Sequence, residues 1–293
     1  MNVLILGATG MLGYSLFSNL ADNAKLAVTG SVRNIQGKRA FFEKYQDKLL
    51  QGIDVTNIAS LEKAIVETKP DVVINCVGLI KQHSIAKQHV SAIEINALLP
   101  HQLAALCDQY KARLIHFSTD CVFDGKQGMY QERDLPTATD LYGKSKCLGE
   151  VNYGRHLTLR TSIIGHELDS AVSLVDWFLN QKIEVNGFSR AVFSGLPTCY
   201  IAKLLEEKIL FNEGVTGLYH LSVDPIDKFS LISLVAETYQ KSIVIKKSTH
   251  LVIDRSLDSS LLRREIDFTP PSWPKLIECM HNDYLERYIP CKN

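Results

Sequence analysis

Tyr142 and Lys146 stand four residues apart in Tyr142-Gly-Lys-Ser-Lys146, so on a helix their side chains project side by side. Such a pair can make a phenol into an acid. A free tyrosine titrates near pH ~10, and a nearby ammonium favours the phenolate, moving the hydroxyl toward the range of a working proton donor. The spacing alone also fits an ordinary solvated helix face, and two further segments give it meaning. Val3-Leu-Ile-Leu6 is a short apolar strand that runs directly into Gly7-Ala-Thr-Gly10-Met-Leu-Gly13. Gly7 permits a tight turn, Gly10 lets a pyrophosphate approach the backbone, and Gly13 lets the next helix pack closely on the sheet. Thr9, Met11 and Leu12 fill in this helix start, whose unpaired N–H groups and partial positive charge attract phosphates. The other segment, Leu114-Ile-His-Phe-Ser118-Thr119-Asp120, is an apolar strand ending in small hydroxyl residues. In a doubly wound sheet, ligands lie beyond the carboxyl ends of the strands, so Ser118 and Thr119 are expected to face a nucleotide crevice.

The surrounding elements must position these groups. Apolar strands alternate with helical stretches, a pattern that predicts an α/β fold with a doubly wound parallel sheet. Residues 26–29 read as the second strand, 52–54 mark the third, and 71–76 after Pro70 form the fourth. Residues 57–68 carry apolar side chains at helical spacing, and 90–110 read as a long helix kinked or broken at Pro100. With 293 residues, 46% of them hydrophobic, the chain can bury sizeable cores. Lys plus Arg equals Asp plus Glu at 32 each, so no overall field recruits a nucleic acid polymer or an anionic membrane, and binding must be local. Seven cysteines (76, 107, 121, 147, 199, 279 and 291) form an odd set without Cys-x-x-Cys, which argues against a disulfide scaffold or a structural zinc. No metal is expected, and a reducing, cytoplasmic setting follows. The first strand begins at Met1, leaving no room for a signal peptide, and no apolar run is read as approaching the ~20 residues of a membrane span.

Taken together, Gly7 to Gly13, Ser118-Thr-Asp120 and Tyr142-x-x-x-Lys146 resemble the extended short-chain dehydrogenase/reductase family over nearly the whole chain. More narrowly, the sequence looks like the dTDP-4-dehydrorhamnose reductase branch, whose Ser-Thr-Asp-Tyr-Val-Phe-Asp-Gly element stands here as Ser118-Thr-Asp-Cys-Val-Phe-Asp-Gly125. Tyr142-Gly-Lys-Ser-Lys-Cys-Leu-Gly-Glu150, Leu159-Arg-Thr-Ser162 and Gly195-Leu-Pro-Thr198 extend the likeness. The resemblance implies a Rossmann domain formed by residues 1–162 plus 196–222. A smaller interleaved lobe, 163–195 plus 223–293, would bind a sugar nucleotide. A helix-mediated homodimer is the corresponding expectation.

Strand 2 ends in Thr29-Gly30-Ser31-Val32-Arg33, with no acidic residue to bind both ribose hydroxyls of NAD. Ser31 and Arg33 can hold the extra phosphate of NADP, so NADPH is favoured over NADH. The resemblance adds Asp54 and Val55 as adenine contacts and places Asn75, Val77 and Gly78 beside the cofactor. Thr119 would bond a ketone oxygen and Tyr142 deliver its proton, while Lys146 lowers the phenol pKa and holds the nicotinamide ribose. Asp120, Cys121, Val122, Ile163 and Pro197 join Thr119 and Tyr142 as expected substrate contacts, and Cys121 is otherwise a packing residue. The 223–228 segment is expected in the sugar-nucleotide wall. Cys121 stands where related dehydratases carry the second acid of an Asp-Glu pair, which argues for reduction over elimination. Related epimerases usually keep an acidic strand 2 end, absent here. Cys121 also replaces the reductases' tyrosine, and Ile163 their tryptophan, reshaping the hexose pocket. A dTDP sugar and a UDP 2-acetamido sugar both fit, as 4-keto-6-deoxyhexoses. A different class is represented by the β subunit of methionine adenosyltransferase, which resembles this branch and acts as a binding partner.

Overall fold

The computed structural model describes residues 1–79 and 88–292. Its framework follows from alternation within short apolar runs. In strand β1 (Asn2–Leu6), Val3 and Ile5 enter one hydrophobic layer, while Leu4 and Leu6 enter the other. The same division recurs in β4 (Val72–Asn75), where Val72 and Ile74 oppose Val73, and in β5 (Arg113–Thr119), where Ile115 and Phe117 oppose Leu114. A sheet apolar on both faces must be covered on both, as parallel crossover helices do. With β2 (Ala27–Val32), β3 (Leu49–Gln51), β6 (Leu157–Thr161) and the strand Gly217–His220, these form a seven-stranded sheet. Its order is Gly217–His220, β6, β5, β4, β1, β2, β3, and every pairing is parallel. The chain switches direction of winding between β1 and β4. The carboxyl ends of those two strands therefore open the crevice that the glycine turn enters.

Several predicted bounds shift for local reasons. The second strand continues to Val32, because Gly30, Ser31 and Val32 find partners on β3. The third strand ends at Gln51, before Gly52, whose φ of 77° starts a turn; residues 52–54 follow the strand. Asn57 is the cap of the helix Ile58–Thr68, its side chain accepting from Ala59 N at 3.0 Å. The long helix runs unbroken over His89–Gln109. Its bonding widens to π-type over Ile93–Leu98, just before Pro100, whose nitrogen has no hydrogen to donate. By length and composition this helix could cross a membrane, contrary to the expectation from the sequence. Half of it is buried, however, packed on β5 and on the helix Leu141–Leu148.

Beyond β6 the chain builds small sheets at the rim of the large one. Ile163–Ile164 pairs with Leu196–Pro197, Glu184–Phe188 with Val244–Ser248, and Ala191–Phe193 with both Ile226–Asp227 and Ile253–Asp254. The helix Trp273–Arg287 returns to the first helix, Met11–Leu20. Tyr288 meets Tyr14 edge-on at 5.3 Å, and Arg287 donates to Asp22 Oδ2 at 2.7 Å.

Candidate active site

A cleft of about 710 Å³ opens at the carboxyl ends of β1, β4 and β5. Its floor begins at the glycine turn. Gly7 has φ 83°, and a Cβ there would lie 2.9 Å from Val77 Cγ2, so the turn after β1 fits against the loop after β4 only without a side chain. A Cβ on Gly13 would overlap the Gly7 carbonyl, which is how the helix Met11–Leu20 comes close to the strand end. That helix starts at Gly10 with no side-chain cap and no acidic residue in its first turn. Its first N–H groups thus remain available to an anion.

Thr119 ends β5, and its Oγ1 accepts from Cys121 N at 3.1 Å, starting the short turn Asp120–Val122. The helix carrying Tyr142 and Lys146 is started by Asp140, whose side chain accepts from Gly143 N at 2.8 Å. Gly143 lets this helix lie against the Asp120–Val122 turn, since a Cβ would overlap the Cys121 carbonyl. The contact brings Tyr142 beside Thr119, close enough for the threonine hydroxyl to influence the phenol. Burial pushes the Tyr142 phenol up, the Cys121 thiol adds to the rise, and the Thr119 hydroxyl opposes it. The phenol is therefore held protonated, whereas the sequence predicts an ammonium-driven fall. Lys146 instead donates to Phe117 O at 2.6 Å, and burial brings its pKa down from 10.5 to about 8 despite the opposing charge of Glu150. Asp120 is raised by burial, against the stabilising contact with Ser162 and the charge of Arg255.

Of the residues expected from sequence, Thr9, Gly10, Met11, Leu12, Asn75, Val77, Gly78, Ser118, Thr119, Asp120, Cys121, Tyr142, Lys146 and Ile163 all line the cleft. Gly7 and Gly13 lie behind it as spacers. Ser31 is buried at the end of β2, where its carbonyl accepts from Ala8 N at 3.0 Å. Arg33 and Asp54 are exposed neighbours at the adjoining ends of β2 and β3, with Val55 half-buried beside them. Asp54 is lowered mainly by its hydrogen bonds with Thr56. Two expected substrate contacts point elsewhere. Val122 is buried in a separate cluster with Phe123, Tyr130 and Leu257, because the turn after Thr119 rotates it inward. Pro197 is buried in the small strand beside Ile164. Of residues 223–228, only Lys228 reaches the cleft; Val223 is buried and Asp227 caps the following helix.

The sequence reading did not single out several residues that hold this site together. Asn96, inside the π segment, donates to Leu79 O and Ser145 Oγ, each at 3.2 Å, tying the loop after β4 to the Tyr142 helix. Ser118 donates to Glu150 Oε1 at 2.7 Å, and Arg160 grips both oxygens of Glu150 at 2.7 Å. Lys38 and Asp169 form a 2.5 Å ion pair at the cleft rim. Polar residues inside otherwise apolar strands, such as His116 and Arg160, were the available signal, since burial makes such groups costly unless partnered. Among the described residues no group of three or more His, Cys, Asp or Glu is arranged to hold a metal ion.

The strand order, glycine turn and cleft define a nucleotide-binding protein of the doubly wound α/β class. Comparison narrows the class: the chain belongs to the family described as RmlD substrate binding domain, which matches residues 1–273. A dTDP-4-dehydrorhamnose reductase of Aggregatibacter actinomycetemcomitans is 30% identical over 76% of this chain and 74% of that protein. A probable low-salt glycan biosynthesis reductase of Haloferax volcanii is 33% identical, but the match spans only 51% of this chain and 48% of that protein. The β subunit of methionine adenosyltransferase 2 from Bos taurus is 25% identical over 81% of this chain and 72% of its own. The fold superposes on Bacillus anthracis dTDP-4-dehydrorhamnose reductase in complex with NADP with a TM-score of 0.75, at 20% identity, covering 96% of this chain and 99% of that one.

Proposed function

We propose that this protein is an NADPH-dependent reductase of a nucleotide-linked 4-keto-6-deoxyhexose, serving surface polysaccharide synthesis. One observation carries the reading: a Thr119, Tyr142 and Lys146 constellation shares a cleft with the uncapped helix start at Gly10 and Met11. The cradle fits a dinucleotide, because the N–H groups of that helix start have no side-chain cap and no carboxylate competes in its first turn. NADPH would supply the hydride when bound there. Arg33, exposed past the end of β2, would hold its additional phosphate, the buried Ser31 backing that strand end instead of touching it, and Lys146 would hold the nicotinamide ribose. Thr119 and Tyr142, side by side in the cleft lining, would converge where a ketone oxygen can accept from both. Tyr142, kept protonated by burial, then gives its proton to that oxygen. Residues 1–162 with 196–222 would carry the cofactor, and 163–195 with 223–293 the sugar nucleotide, as either a dTDP sugar or a UDP 2-acetamido sugar. Cys121 at the cleft wall supports reduction over elimination, since it offers no carboxyl group there.

The test is NADPH oxidation against a panel of dTDP-, UDP- and GDP-linked 4-ketosugars, run beside Tyr142→Phe. That variant removes one hydroxyl and should lower kcat by ~10²- to 10⁴-fold, the usual contribution of a general acid, with NADPH binding retained. Reduction at the parental rate by Tyr142→Phe would remove the proposed acid. The likeness to the methionine adenosyltransferase β subunit supports a second reading, a nucleotide-binding regulatory subunit. Co-purification with a larger catalytic chain, without turnover of any ketosugar, would favour it.

A further inference from the structure

Behind Lys146 lies a buried pair of polar side chains, Asn75 at the cleft wall and His116, to the second of which the reaction gives no role. Asn75 Oδ1 accepts from Val77 N at 3.0 Å, which fixes the amide so that Nδ2 points at His116 Nδ1, 3.1 Å away. An amide nitrogen can only donate. His116 Nδ1 must therefore present its lone pair, and the ring proton of the neutral imidazole sits on Nε2. That nitrogen lies 3.5 Å from Lys146 Nζ. An N–H facing an ammonium is a donor facing a donor, whereas an N–H facing a neutral amine makes a hydrogen bond. Both Asn75 and His116 are essentially excluded from solvent, so water does not relieve the mismatch.

We propose that His116 is a positioning residue that acts through Lys146, presenting a fixed Nε2–H to the lysine nitrogen and so favouring its neutral amine. The consequence rests on the reductase reading, in which Lys146 holds the nicotinamide ribose and the balance between its amine and its ammonium sets that hold. The amine is the species that accepts from His116, and it exchanges its proton with solvent. Among the described residues, Lys146 is also faced by Glu150 from the end of its own helix and by Cys76 from the end of β4, both of which favour the ammonium. His116 is faced by Lys146 and, from the long helix, by His101, which with burial hold the imidazole neutral. His116 therefore supplies a specific, directional counterweight to Glu150.

The test reads nitrogen chemistry directly and does not need a substrate. Long-range ¹H–¹⁵N spectra of the histidine-labelled full chain should give His116 as the neutral Nε2–H tautomer from pH 8 down to 5. A second measurement follows the lysine side-chain resonances in parent and His116→Phe, a ring of similar shape without the donor. The Lys146 midpoint should rise by about one pH unit, a roughly tenfold change in the amine–ammonium balance, as expected for losing one hydrogen bond to the neutral form. In the ketosugar assay the alkaline limb of the kcat profile should move with it. A His116 that is protonated on Nδ1, or a Lys146 midpoint unchanged in a folded His116→Phe, would overturn the proposal. If the tautomer and the midpoint behave as stated while no ketosugar is reduced, the positioning role stands and the reductase reading falls.

Discussion

Replacing Lys146 by methionine should make the protein more stable while removing its ability to hold a cofactor. Lys146 is buried, and desolvation carries its pKa from 10.5 to about 8. That drop is equivalent to roughly 3 kcal/mol of disfavoured charge in the folded state. Methionine fills a similar volume without the charge. It leaves the Phe117 carbonyl without the 2.6 Å bond it accepts from Lys146, a loss of about 1 to 3 kcal/mol. The balance is a gain of up to about 2 kcal/mol at pH 7. The pH dependence is a sharper check. A lysine whose folded pKa is depressed binds fewer protons in the folded state, so its destabilising effect is complete below about pH 8 and fades as pH rises toward 10.5. Urea unfolding of parent and Lys146→Met at pH 7 and pH 10 should show the advantage of the variant shrinking at the higher pH. NADPH titration by fluorescence should show cofactor binding lost in the same variant. A variant less stable than its parent at pH 7, or an advantage that grows with pH, would refute the reasoning.

Arg33→Ala should weaken NADPH more than NADH, by about 1.5 to 3 kcal/mol, because a charge-assisted bond to the extra phosphate is absent from NADH; calorimetry giving equal losses for both would dismiss Arg33 as the selector. Glu150→Gln leaves the Arg160 guanidinium buried without its carboxylate and disturbs the Ser118 bond, so unfolding should become easier by about 3 to 5 kcal/mol. A loss below 1 kcal/mol in denaturant titration would mean the pair is dispensable. Lys228→Met, at the cleft wall, should raise the KM for the sugar nucleotide and leave NADPH affinity alone; steady-state kinetics with an unchanged KM would leave Lys228 as a surface residue.

The linear order of the chain carried much of this reading. The apolar run before Gly7, the small residues ending β5 and the four-residue spacing of Tyr142 and Lys146 depend on neighbours in sequence, where strand alternation, turn geometry and helix periodicity act. They located the parallel sheet and most of the cleft lining before any contact was known. Strand ends were less legible: β2 outruns its apolar stretch because β3 offers its last residues backbone partners, and β3 lies outside residues 52–54 because Gly52 turns the chain.

What the tertiary structure alone decided are the pairings between distant segments. Val122 and Pro197 adjoin motif residues in sequence, yet backbone rotation sends both into the interior. The Tyr142 phenol looked tuned by Lys146, whereas burial holds it protonated and a strand carbonyl takes the lysine. Asn75, Asn96, His116 and Glu150 gain their roles only when β4, β5, the long helix and the Tyr142 helix meet. Propensity and periodicity are local, so a sequence can fix which face of an element is apolar. Desolvation and hydrogen-bond partnership depend on what closes over a group from elsewhere in the chain, and only the packed fold determines that.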